Sequence, residues 1–216
     1  MIRAMGISPR QFEQMKDRVS GRGPRGGMDL SGVQGNLAAS LAPGIVLGVD
    51  PSLRGTGYGI IRFGKSAQPL GQSAQGEVLA QGTIRCPRDW ERSRCLAMIS
   101  TTLREIVRLH RPEVCAVEGL FFAQTLRTAL IMGEARGAAM AVAAEAGLPI
   151  HEIATRKVKQ AVVGYGAAQK AAVAKMVQRM LALAEVPEPD AADALALALT
   201  HFRDYSRHRL GSLKRI

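Results

Sequence analysis

The chain has 216 residues, 47% of them hydrophobic, enough to bury one domain core of ordinary size. Its 29 lysines and arginines against 18 aspartates and glutamates give a formal net charge of +11, which points to a polyanionic partner. No apolar run reaches the roughly 18 residues of a membrane span, the start MIRAMGISPRQF lacks the apolar stretch of a secretory signal, and three cysteines without a CxxC pair read as reduced thiols of a cytoplasmic protein.

Charge divides the chain into three. Residues 1–43 carry six basic and three acidic residues, and after one short helix opened by Ser8-Pro9 they turn Gly-rich, as a flexible extension would. Residues 203–216 carry five basic residues against one acidic and read as a basic tail. Between them, 44–202 patterns as a packed α/β domain. Gly44–Asp50 (GIVLGVD) is short, apolar and rich in β-branched residues, a buried strand. Gly55–Phe63 and Glu77–Cys86 read as two more strands, joined to the first as an antiparallel meander. Trp90–His110 has helical spacing and stops before Pro112. Val114–Glu118 is a fourth strand, Gln124–Gly147 an alanine-rich helix, and Pro149–Ala154 a fifth strand. Helices near 155–163, 168–184 and 190–205 follow. The order βββαβαβααα implies a five-stranded mixed sheet with helices on both faces.

Four of the acidic residues stand apart from solvated surface charge. Asp50 ends the first strand and Glu118 the fourth; Asp190 and Asp193 open the helix DAADALALALTHF and, three apart, project from one side of it. A carboxylate at the end of a buried strand is costly to desolvate without a positive neighbour. Four converging carboxylates repel one another, and hard divalent cations, Mg²⁺ or Mn²⁺, relieve this best with oxygen-only ligands. Each residue also has an ordinary explanation: a turn before Pro51, a strand end before Gly119, an N-cap after Pro189.

Basic residues cluster in Thr155–Lys170 (TRKVKQAVVGYGAAQK), where Arg156, Lys157, Lys159 and Lys170 surround a Gly164-Tyr165-Gly166 turn. A helix starting near Ala167 would present amides to a phosphate there. Phe121 and Phe122, leaving the fourth strand, are either core plugs or wedges that stack on unpaired bases. Gly133 and Gly137 permit close backbone approach, against the domain's own sheet or against a second copy. There is no GxxxxGK[ST], HExxH or GxSxG.

Taken together, the stretches GVDPSLRGTGYGII, VEGLFF, MGEARG, RKVKQAVVGYG and PDAADALALALTH resemble the RuvC family of Holliday-junction resolvases, within the RNase H-like nucleases. The resemblance runs from about Gly44 to His201. It implies an RNase H-like fold and an acidic tetrad, Asp50, Glu118, Asp190 and Asp193, that binds two Mg²⁺. It also implies lysines for DNA binding and catalysis (Lys159 and Lys170), an aromatic that stacks at the junction centre (Phe121), and a homodimer formed on the helix of Gly133 and Gly137. Four-way junction DNA is then the substrate, a bacterial cytoplasm the setting, and the RuvA–RuvB branch-migration complex a candidate partner. Ser52 stands where the family usually has glycine, and the 43-residue extension has no counterpart in typical members. The alternatives are a general RNase H-like nuclease and a non-catalytic junction-binding protein.

Overall fold

The computed structural model describes residues 44–64, 76–119, 125–208 and 214–216. The N-terminal extension, Phe121 and Phe122 lie outside the described residues. The elements, in chain order, are β1 (Ile45–Asp50), β2 (Gly55–Phe63), β3 (Gly76–Arg85), α1 (Arg92–His110), β4 (Val114–Glu118), α2 (Leu126–Glu145), β5 (Ile150–Ile153), α3 (Thr155–Val163), α4 (Lys170–Met180), α5 (Pro189–His208) and β6 (Lys214–Arg215).

The sheet order is β3-β2-β1-β4-β5-β6. β1, β2 and β3 form the expected antiparallel meander, while β4 joins β1, and β5 joins β4, in parallel. The five expected strands are present. The addition is β6, where two residues of the basic tail pair antiparallel with His151 and Glu152 of β5. The tail therefore contributes to the sheet edge, and α5 extends past residue 202 to His208.

Alternation along β1 divides the core in two. Val46 faces one cluster with Ile61, Val114, Ala116, Val158, Val177 and α5; Leu47 and Val49 face another with Ile60, Val117, Ile99, Leu103, Ala139 and Val142. Helices α3, α4 and α5 thus cover one face, and α1 and α2 the other. α1 ends as Arg111 turns left-handed (φ 47°), its N–H bonding the Val107 carbonyl at 2.8 Å, with Pro112 blocking continuation. The three cysteines are free and buried. Among the described residues no helix is long and apolar enough to cross a membrane.

One contact decides where the carboxylates lie. A Cβ at Gly48 would sit 1.9 Å from the Ala194 carbonyl oxygen, and one at Gly57 2.0 Å from that of Asp190. α5, whose inward residues are mostly alanine and leucine, therefore rests with its backbone against β1 and β2. This close seating brings the first turn of α5 to the end of β1.

Candidate active site

Asp50 and Glu118 occupy the last positions of neighbouring parallel strands, one step beyond the Val49–Val117 pair. β1 is also the strand where pairing switches from antiparallel to parallel, and the carboxyl ends of strands at such a point leave room for a ligand. Asp190 and Asp193 arrive from α5. The Asp190 carboxylate lies over Gly55, its Oδ2 2.9 Å from where a Cβ would stand. Asp190 is not the N-cap: Pro189 is already helical, and the Ala192 N–H bonds the Glu188 carbonyl at 2.7 Å.

A cleft of about 250 Å³ is lined by all four carboxylates together with Lys159, Lys170, Thr155 and Ser52. Within it Asp50 is pushed up to about 8, first by burial, then by the charge of Glu118, a hydrogen bond to the Glu118 carboxyl group and the charge of Asp193. Burial also raises Asp193, against the pull of Lys170, whose Nζ sits 2.9 Å from its Oδ2. Burial would lower Lys170, but that hydrogen bond and the charges of Asp193, Asp50 and Asp190 outweigh it and hold the ammonium above its usual range. The Thr155 hydroxyl donates to Glu118 Oε1 at 2.5 Å.

Burial first, then the charge and hydrogen bond of Glu118 and the charge of Asp193, hold Asp50 toward its protonated form, with Lys170 pulling the other way. An all-oxygen donor set of this kind suits a hard cation. As they stand, no three His, Cys, Asp or Glu groups among the described residues converge as a finished coordination cage. Asp50 is hydrogen-bonded to the Glu118 carboxyl group, and Lys170 holds Asp193.

The other basic candidates divide. Lys159 faces the cleft, but Lys157 is engaged 2.6 Å from Asp204 of α5, and Arg156 is exposed and packs against Gly166. Gly164 (φ 99°) closes α3, and α4 begins at Lys170 rather than near Ala167, so no helix amides start where the turn was expected to meet phosphate. Beside the cleft, and sharing Ser52 and Met132 with it, runs a larger groove of about 830 Å³ lined by Arg54, Arg92 and Arg127. Its arginines were not singled out from the sequence, being scattered over three segments.

A family model described as crossover junction endodeoxyribonuclease RuvC matches residues 46–201. The chain belongs to the RuvC family. RuvC of Citrifermentans bemidjiense is 45% identical over 157 residues, 73% of this chain and 91% of the relative. RuvC of Akkermansia muciniphila is 42% identical over 156 residues, 72% of this chain and 89% of its own. Among solved structures, Thermus thermophilus RuvC in complex with a Holliday junction substrate superposes with a TM-score of 0.70 at 34% identity, covering 80% of this chain and 99% of the other. As a member of the RuvC family the chain is a crossover junction endodeoxyribonuclease of the α/β, RNase H-like class, and a user of divalent metal.

Proposed function

We propose that the chain resolves four-way DNA junctions by Mg²⁺-dependent paired nicking of symmetric strands, leaving 5′-phosphate and 3′-hydroxyl ends. The observation that carries the reading is the crowding of Asp50, Glu118, Asp190 and Asp193 into one cleft, with Asp50 driven up to about 8. These four side chains would hold two Mg²⁺, with Mn²⁺ able to substitute. Bound ions there supply a water nucleophile at neutral pH and a counter-charge for the leaving oxygen. Lys170, held in its ammonium form, and Lys159 line the same cleft and meet the phosphate that enters it. Arg127 of the adjoining groove would add salt-sensitive affinity for the backbone, while Arg92 there pairs with Glu134 at 3.1 Å and Arg54 donates to the Trp90 carbonyl at 3.0 Å. Phe121 is assigned to DNA contact on the sequence resemblance, and Phe122 and Arg156 on the pattern of adjacent aromatics and clustered basic residues alone.

The working unit in this reading is a homodimer formed on α2. Leu126 and Leu130 are 78% and 58% exposed on that helix, and a Cβ at Gly133 or Gly137 would meet nothing within 4 Å. A two-fold pair presents two clefts to symmetry-related strands of a junction. The setting is the bacterial cytoplasm, with RuvA and RuvB as candidate partners.

The test is cleavage of a synthetic immobile junction, with Mg²⁺ and then with EDTA, beside a linear duplex of the same sequence. Paired nicks confined to the junction and to Mg²⁺ are expected; Asp190→Asn keeps junction binding and loses cleavage. Binding without any cut in Mg²⁺ or Mn²⁺ would favour a non-catalytic junction binder instead.

A further inference from the structure

Glu118 is gripped from two sides, and one grip comes from a residue outside the cleft. Arg136 lies on α2, its side chain 15% exposed, and forks between two acceptors. Its Nε donates to the Glu118 backbone carbonyl at 3.2 Å, and its Nη2 donates to the Glu152 carboxylate, itself 12% exposed, on β5. β4 ends at Glu118; the next N–H, of Gly119, bonds Ile153 at 3.0 Å before the chain leaves the sheet. The guanidinium therefore fixes the backbone where the ladder runs out, while Thr155 fixes the carboxylate. Burying an Arg–Glu pair costs desolvation that packing alone would avoid, so its place here calls for a second role. A guanidinium can bridge two acceptors in one plane, whereas an ammonium on a flexible stem cannot hold that fork.

We infer that Arg136 is a positioning residue for metal binding: bridging Glu152 to the Glu118 carbonyl, it aims the Glu118 carboxylate at Asp50. The inference rests on the reading of Glu118 as a metal ligand. A partner behind a ligand typically changes metal affinity by ten- to a hundredfold. A residue acting only as the counter-charge of Glu152 would be replaceable by lysine; one acting through its fork would not.

The experiment titrates Mn²⁺ into the full chain without DNA, by calorimetry and by the shift in Tm. Arg136→Lys should fold yet bind Mn²⁺ at least about tenfold more weakly, with junction affinity in EDTA within about twofold of the parent. Glu152→Gln, which leaves Arg136 its bond to Glu118, should lower Tm and keep Mn²⁺ affinity. Thr155→Val, at an exposed position, should weaken Mn²⁺ binding with little change in Tm. If Arg136→Lys does not fold, Arg136→Gln combined with Glu152→Gln removes both charges and carries the same comparison. Parental Mn²⁺ affinity in the folded Arg136 variant overturns the inference while leaving the metal site intact. A parent chain that binds no Mn²⁺ overturns the functional reading as well.

Discussion

Adding one methyl group to β2 should disable the site from behind. In Gly57→Ala the new Cβ would stand 2.0 Å from the Asp190 carbonyl oxygen and 2.5 Å from its carbon, whereas real Cβ atoms do not approach within 3.0 Å. Both partners are backbone, so no side-chain rotation relieves the clash; the start of α5 has to retreat by roughly 1 Å. That helix buries Ala191, Ala192, Ala194, Leu195 and Leu197 against the sheet, and lifting it opens gaps along the whole contact. Overpacking of this kind costs about 3 kcal/mol, or about 6–12 °C in Tm for a domain of this size. Asp190 and Asp193 move with the helix, and with the catalytic role proposed for them a 1 Å error in placement costs about a hundredfold in rate. Urea unfolding and single-turnover junction cleavage measure the two effects, with Gly64→Ala, whose Cβ meets nothing within 4 Å, as the neutral control. A Gly57→Ala protein that loses stability but cleaves at the parental rate would refute the argument that the α5 seating sets the site.

Asp50→Asn should stabilise the metal-free chain. Burial and its acidic neighbours raise Asp50 from 3.8 to about 8, so the folded state keeps a proton that the unfolded chain releases, and the penalty grows with pH between those values. The gain is therefore absent below pH 4 and reaches about 2–4 kcal/mol at pH 7; thermal melts in EDTA between pH 5 and 8 read it, and a gain that does not grow with pH would contradict the electrostatic account. His201, 1% exposed, is lowered from 6.5 to about 4 by burial and then by His151, whose ring lies 4.8 Å away. Its unfolded form takes up a proton from about pH 6.5 downward while the folded form resists, so stability falls across pH 6.5 to 4 by up to about 3 kcal/mol. His201→Phe should flatten that part of the profile in urea midpoints, and equal slopes in parent and variant would remove His201 as its source.

The elements most legible in the sequence were those whose composition leaves little choice. IVLGVD and VCAVE are too short and too β-branched for helices, and their terminal acids had to lie at strand ends. The three-residue spacing of Asp190 and Asp193 puts both on one helix side, and all four carboxylates line one cleft. What escaped was information held between elements. Gly55, Gly57 and Gly59 read as a turn entering a strand; their alternation marks the strand face on which α5 seats, through its backbone at Gly57 and through the Asp190 and Leu195 side chains at Gly55 and Gly59. Arg136 stood within a recognised motif, yet its reach to a carbonyl 18 residues away depends on how α2 crosses β4 and β5. β6 escaped because two basic residues carry no strand pattern; the open edge of β5 supplies it. α4 starts later than its sequence suggests, because Ala167 and Ala168 favour helix whereas Gln169 is extended (φ −78°, ψ 154°).

The seating of α5 also has a temporal consequence. Asp50 and Glu118 belong to strands that can pair once the chain has been made as far as Glu118, but Asp190 and Asp193 are delivered only when the last helix docks on Gly48 and Gly57. Until then the chain carries half the carboxylates and no enclosed cleft, too few oxygens to hold a hard cation firmly. In the reading proposed above, completion of the fold and acquisition of a DNA-cutting centre are therefore the same event. A nascent or locally unravelled copy, still strongly basic, can settle on nucleic acid but has nothing with which to break it.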